Sequence, residues 1–275
     1  MTRIALFQST TGIDPAANAD RLVAAIGEAA AGGATMVFTP EMSGLLDRDS
    51  QRAAPNIRAE EDDEVLAACS DAARQHGIWV HLGSLAVLTS DGKIANRAFV
   101  IDRIGEVRAR YDKIHLFDVD LPTGESWRES AVYQRGEGAV LVNGTPVGKL
   151  GLTICYDLRF PGLFARLAES GADLIAVPAA FTVPTGKAHW HVLLRARAIE
   201  AGLFVVAAAQ VGRHEDGRQT FGHSLVIDPW GEVLLDMGDE PGLGFADIDL
   251  ARIPDVRSRI PALSHRRAIP DAVTL

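Results

Sequence analysis

Cysteine, net positive charge and long apolar runs are all scarce in this chain, and each shortage removes a class of protein. Two cysteines, Cys69 and Cys155, in 275 residues cannot build a disulfide framework. Folding has to rest on a buried apolar core, for which this length is ample. Lysine and arginine number 27 against 36 aspartates and glutamates, a net charge of −9. That balance argues against general affinity for nucleic acid or an anionic membrane surface, and an anionic small substrate would need local arginines to overcome it. No apolar run approaches the length of a membrane span. The opening residues, Met1 to Gln8, read straight into a strand, with no apolar leader and no small-residue cleavage site. With few thiols and no leader, the expected compartment is the reducing cytoplasm. No repeat, low-complexity stretch or Gly/Ser linker divides the chain, so residues 1–275 are read as a single domain.

What is present is an alternation of strand-like and helix-like patterns. Arg3–Gln8 reads as a strand, followed by a helix entered through Asp14 and Pro15 and stopped at Gly32-Gly33. Thr35–Thr39 is a short buried strand, Glu61–His76 a helix, and Trp79–Leu88, Ala95–Asp102 and Glu106–Tyr111 are strands. The second half repeats the grammar without the sequence. Strand Val147–Ile154 leads to a helix near Phe160–Ser170, then strand Asp173–Val177, helix Lys187–Ala201 and strand Leu203–Ala209. Strands near His223–Ile227, Glu232–Leu235 and Leu243–Asp247 close the pattern. Interleaved helices and strands imply a layered α/β fold, and the long hairpin runs imply mixed sheets.

Three residues sit at the C-terminal ends of expected strands, where α/β folds gather functional groups. Glu41 follows Met36-Val37-Phe38-Thr39-Pro40, Lys113 follows Arg108-Ala109-Arg110-Tyr111-Asp112, and Cys155 ends Gly151-Leu152-Thr153-Ile154 just before Pro161. Singly, each has an ordinary reading: a turn carboxylate, a solvated lysine, an inert buried thiol. Cys69, on the apolar face of a helix, illustrates the last and is read as core. Together they offer a thiol, a carboxylate to take its proton and an ammonium to hold an oxyanion. Spacing alone does not show that they meet.

Phe38-Thr39-Pro40-Glu41, Tyr111-Asp112-Lys113-Ile114-His115 and Thr153-Ile154-Cys155-Tyr156-Asp157-Leu158-Arg159-Phe160 resemble, in order and separation, the three signatures of the nitrilase superfamily of carbon–nitrogen hydrolases. The resemblance runs from the first strand to about Arg267. It is greatest to the Nit branch, through His115–Asp120, Arg128-Glu129-Ser130, Ala180-Phe181-Thr182, Ala188-His189-Trp190 and Leu193–Glu200. That branch includes ω-amidases acting on 2-oxoglutaramate and amidases acting on deaminated glutathione. Gln210-Val211-Gly212-Arg213-His214, Gly222-His223-Ser224 and Asp228-Pro229-Trp230-Gly231 tilt the choice to the second group.

The resemblance implies a four-layer αββα sandwich of the nitrilase type with mixed sheets. Two such units would pair as a homodimer or larger homo-oligomer, with about residues 250–275 as an extension at the interface. It implies amide hydrolysis through a cysteine thioester, with no cofactor and no metal. Glu41 would be the base, Cys155 the nucleophile, Lys113 the oxyanion holder together with the Tyr156 N–H, and Glu129 a second glutamate beside the lysine. Arg159, Arg213 and His214 are candidates for a substrate carboxylate. Phe181, Thr182, His189 and Trp190 are candidates for the pocket wall, with core packing as the alternative.

Three rival readings compete with this one. A zinc enzyme is suggested by His189-Trp190-His191 and His115, but residues i and i+2 of a helix face different sides and no metal-ligand spacing accompanies them. A papain-like protease using Cys155 with His223 or His189 lacks the local cysteine signature, and His223 reads as a core-facing polar residue. A catalytically silent protein of the same fold, binding a metabolite or partner, need not retain Glu41, Lys113 and Cys155 together. Within the branch the alternatives are a dipeptide or ammonia as leaving group, and hydrolysis of a nitrile in place of an amide.

Overall fold

Alternation of side chains along the strands decides the architecture. In strand Thr2–Gln8, Ile4 and Leu6 face one core and Ala5 faces another; in Met36–Phe38, Met36 and Phe38 join the first and Val37 the second. A strand buried on both faces must be covered on both. The computed structural model, which describes residues 1–120, 124 and 126–274, shows how. One sheet has the order Gly242–Ile248, Thr2–Gln8, Met36–Phe38, Trp79–Leu88, Ile94–Ile101, Val107–Asp112. The other has the order Val140–Thr145, Gly148–Leu152, Leu174–Ala176, Phe204–Ala207, Leu225–Ile227, Val233–Asp236. Each sheet follows one plan: an antiparallel edge strand, three parallel strands, then two antiparallel strands. The expected mixed-sheet, four-layer αββα sandwich is what the chain forms.

Helices Pro15–Ala31 and Glu64–His76 cover the first sheet, burying Leu22, Ile26 and Ala29 beside Val65, Cys69, Ala72 and Ala73. Cys69 is fully buried, as its helix-face position predicts, and burial pushes its thiol up to about 12. Helices Pro161–Glu169 and Val183–Ala201 cover the second sheet. A side chain built on Gly151 would meet Leu167 of the former, so Gly151 faces the helix while Leu150 and Leu152 face the other sheet. The last helix, Arg252–Arg259, is tied down by Arg257, which donates to the carbonyls of Gly202 and Ala172. No helix among the described residues is long and apolar enough to cross a membrane.

Boundaries shift for local reasons. The helix expected from Glu61 begins at Glu64, because Asp63 accepts a hydrogen bond from Leu66 N at 2.8 Å and caps it. The helix expected from Lys187 begins at Val183, since Pro184 in a first turn forfeits no intrahelical bond. Strand Val147–Ile154 stops at Leu152, and a 3₁₀ turn, Cys155–Arg159, separates it from Pro161. Val140–Thr145 and the hairpins Asp118–Asp120/Ser126–Arg128 and Val211–Arg213/Gln219–Phe221 were not anticipated, being short or without clean alternation.

Candidate active site

Each functional side chain is aimed by backbone that is itself fixed. Glu41 leaves the end of Met36–Phe38 through Thr39 and Pro40. A Cβ on Gly83 would fall 2.1 Å from Thr39 O and 2.4 Å from Pro40 O, so only glycine lets the neighbouring strand pass this close. Lys113 follows strand Val107–Asp112, its N–H donating to Asn96 O at 3.0 Å and its carbonyl accepting from Gly136 N at 2.8 Å. Cys155 opens the 3₁₀ turn at φ 49°, a conformation uncommon for a residue with a side chain, and its N–H donates to Pro178 O at 2.9 Å. Asp157 locks this turn to the lysine strand. Its fully buried carboxylate accepts from Ile154 N at 2.9 Å, Tyr111 Oη at 2.7 Å and His115 N at 3.1 Å, with His115 Nδ1 at 2.7 Å. Tyr111 and His115 flank Lys113, so one acid sets cysteine against lysine.

Four of the expected residues converge. Lys113 Nζ lies 2.8 Å from Glu41 Oε1 and 2.9 and 3.0 Å from the two oxygens of Glu129. Relative exposures of 2% for Lys113, 5% for Glu41 and 8% for Cys155 place the group out of bulk water. Glu41 Oε2 accepts from Ala180 N at 3.0 Å, and Glu129 Oε2 from Phe117 N at 2.6 Å. Burial works to lower the Lys113 ammonium, but Glu129 and then Glu41 overcome it, holding the pKa well above the ordinary lysine value. Cys155 is pushed well above the usual thiol range by burial and by the Glu41 charge, against the pull of Lys113. The surroundings favour the neutral form of the thiol, with the Glu41 side chain beside it. Lys113 fills with its own charge the place between two carboxylates where a cation would otherwise sit.

The expected pocket residues separate into two groups. Arg159 lies 5.9 Å from the Tyr156 ring centre and 5.6 Å from that of Phe181. Its guanidinium is 3.3 Å from His189 Nδ1 and pairs with no carboxylate among the described residues. Thr182, bridged to Thr220 and hydrogen-bonded to Thr185 Oγ1 at 2.8 Å, closes the wall beside Phe181. Trp190 is a correction: it is fully buried behind Phe181, with ring centres 4.6 Å apart, and Nε1 donates to His223 O at 2.8 Å. His214 is another. It is buried, with Nδ1 2.9 Å from Thr11 O and Nε2 2.8 Å from Thr220 Oγ1, leaving no ring nitrogen for a ligand. Burial lowers its pKa and keeps it neutral. Arg213 is exposed on the hairpin end. His223 is half-buried at a surface cluster and does not face the core; Ser224 beside it does, accepting from Ala209 N at 2.9 Å.

Sequence reasoning missed Asn96 and gave Gln210 no role beyond its motif. Asn96 Nδ2 donates to Glu41 Oε1 at 3.0 Å and to Glu129 Oε1 at 3.1 Å, tying the two acids together. Gln210 Nε2 donates to Glu41 O at 2.9 Å and to Thr11 Oγ1 at 2.7 Å. The available signal was a buried amide inside an apolar strand or strand end, which must find partners.

The carbon–nitrogen hydrolase family model matches residues 3–258. The deaminated glutathione amidase of Yersinia enterocolitica is 41% identical over 244 residues, 88% of this chain and 85% of its own. That of Bos taurus is 40% identical over 268 residues, 96% of this chain and 81% of its own. The crystal structure of Saccharomyces cerevisiae Nit3, a member of branch 10 of the nitrilase superfamily, superposes with a TM-score of 0.87 at 27% identity, covering 97% of both chains. Likeness on this scale, with the three signatures gathered around one buried lysine, places the chain in the carbon–nitrogen hydrolase family of the nitrilase superfamily, as a hydrolase acting on amides.

Proposed function

We propose that this amidase cleaves deaminated glutathione to 2-oxoglutarate and Cys-Gly through a thioester on Cys155. The observation that carries the chemistry is Lys113 Nζ held 2.8 Å from Glu41 and 2.9 Å from Glu129 beside a buried thiol. Glu41 takes the thiol proton, and the thiolate adds to the amide carbonyl. Lys113 has a third N–H beyond those engaged by the two acids, and the Tyr156 N–H lies at the start of a 3₁₀ turn without an intrahelical acceptor; both are suited to the oxyanion. Collapse breaks the C–N bond as Glu41 returns its proton to the leaving amine. Water then adds to the thioester while Glu41 takes its proton, and collapse releases the acid and the thiolate, which recovers the proton from Glu41. Glu129 and Asn96 keep the ammonium and the base in register.

Arg159, stacked between Tyr156 and Phe181 with no acidic partner among the described residues, supports a substrate carboxylate at that wall. The test is 2-oxoglutarate release from deaminated glutathione and, separately, from 2-oxoglutaramate, with wild type and Cys155→Ala. Preference for the first, lost in the variant, is expected. Preference for the second would move the chain to the ω-amidases with its mechanism intact. No cleavage of either would overturn the substrate assignment.

The same reading includes self-association in the reducing cytoplasm. Val192 and Ile199, seven positions apart on helix Val183–Ala201, are exposed, as are Trp230 and Leu234 nearby and Ile260 within the C-terminal extension. A second copy of the chain is the occupant this apolar face suits.

A further inference from the structure

Among the described residues only three non-glycine side chains sit on backbone with positive φ: Met42 at 54°, Cys155 at 49° and His223 at 55°. Met42 follows the base and Cys155 is the nucleophile. His223 lies outside the Glu41–Lys113–Cys155 group, in a second cluster of polar side chains. Its Nδ1 lies 2.8 Å from Asp236 Oδ1, and His191 Nε2 lies 2.9 Å from Asp236 Oδ2. One donor atom from each of the three residues falls within 4.8 Å of the other two.

The three side chains come from different, well-anchored places. His191 is on helix Val183–Ala201, His223 on the turn before Leu225–Ile227, and Asp236 ends Val233–Asp236. The turn is held at both ends of His223, whose N–H donates to Gly238 O at 2.6 Å and whose carbonyl accepts from Trp190 Nε1 at 2.8 Å. Gly238 N in turn donates to Asp236 Oδ1 at 3.0 Å. Phe221 stacks on the His223 ring with centres 4.5 Å apart, and the two imidazoles meet edge to face at 5.0 Å. Side-chain exposures of 35%, 27% and 36% for His191, His223 and Asp236 leave the cluster open to an incoming ion.

We propose that His191, His223 and Asp236 form a binding site for a divalent transition-metal ion of the zinc, cobalt or nickel class, distinct from the amidase centre. Two imidazoles and one carboxylate suit such ions better than the all-oxygen shells preferred by magnesium and calcium. Bonds of about 2.1 Å in a tetrahedral shell place ligand atoms about 3.4 Å apart, so the trio closes by side-chain rotation of about 1 Å, with water completing the shell. In the ion-free arrangement the N–H groups at His191 Nε2 and His223 Nδ1 donate to the carboxylate. Metal binding moves each proton to the opposite ring nitrogen and puts two lone pairs on the ion, so a neutral pair loses no proton. The ion ties helix Val183–Ala201 to strand Val233–Asp236, and Trp190, bonded to His223 O, carries the clamp as far as Phe181 in the pocket wall.

The test is cobalt(II) titration of metal-free protein in a Cys155→Ser background, which removes the active-site thiol as a competing ligand. The expected result is one ion per chain with weak visible d–d absorption and no thiolate charge-transfer band. His191→Asn, His223→Asn and Asp236→Asn each weaken binding by at least about tenfold, with circular dichroism confirming that each variant is folded. Nickel(II) raises the melting temperature of wild type and not of the variants. Absence of stoichiometric binding, or binding indifferent to all three substitutions, overturns the site. Amide hydrolysis by wild type without added metal is unaffected in either case, so this result is separable from the thioester reading.

Discussion

In the proposed mechanism Glu41 is a base, then an acid, then a base again, and its surroundings suit one carboxylate to this. Oε1 faces Lys113 and Asn96, while Oε2 receives the Ala180 N–H. Glu41→Gln removes the proton acceptor and lowers kcat by about 10³-fold. The same change removes the negative charge that, after burial, raises the Cys155 thiol. Iodoacetamide alkylation of Cys155 in that variant is therefore expected to shift to lower pH even as turnover is lost. An alkylation profile that stays put or moves upward would show that the thiol does not feel Glu41. Asn96 is a positioning residue acting through the two acids it joins. Asn96→Leu lowers kcat by about 10²-fold with little change in KM, and Asn96→Asp, which sets a third carboxylate against two, lowers it further; steady-state kinetics on both checks this. None of this was legible around residue 96, because an asparagine in an apolar strand has no signature until its partners are known. Glu41, Lys113 and Cys155 were legible because they stand at strand ends in a recognisable order.

At the scale of elements, the site is built by strand ends and by two close approaches. Asp157, two residues after the proposed nucleophile Cys155, binds Tyr111 and His115 on either side of Lys113. Gly83 permits the strand carrying it to pass against the Thr39-Pro40 backbone that aims Glu41. Gly83→Ala forces backbone apart and is expected to cost about 1–3 kcal/mol of stability along with most activity; denaturant melts and kinetics read both. Asp63→Ala, at the cap of Glu64–His76, costs about 1 kcal/mol and leaves turnover intact. The long strand Trp79–Leu88 was read to the residue because apolar runs bounded by turns are strong signals. The 3₁₀ turn at Cys155 and the hairpins beside the pocket were not, because their geometry is set by tertiary hydrogen bonds such as Cys155 N to Pro178 O and Phe221 N to Phe181 O. For the same reason His191 looked like half of an unsuitable pair with His189, while its actual neighbours lie in distant segments.

For the whole molecule, His81 is a costly group among the described residues of the core between the sheets. His81 is fully buried beside Phe38, with neither ring nitrogen bonded among the described residues, and burial drives its pKa down to about 3. Because the unfolded chain takes up this proton near pH 6.5 and the folded chain resists until about pH 3, His81 withdraws stability as pH falls through that window. The slope from one proton is about 1.4 kcal/mol per pH unit. His81→Phe is expected to flatten the stability profile between those limits, measured by denaturant unfolding at several pH values. At the opposite face, Ile199→Glu is expected to shift the protein to a smaller species in light scattering, with its fold retained. A thioester on Cys155 can be trapped by mixing wild-type protein with deaminated glutathione, quenching in acid during the burst of Cys-Gly release, and mapping peptide masses. A 2-oxoglutaryl group is expected on the peptide containing Cys155 and none on that containing Cys69. A burst with Cys155 unmodified, or the acyl group found elsewhere, would contradict a thioester on Cys155.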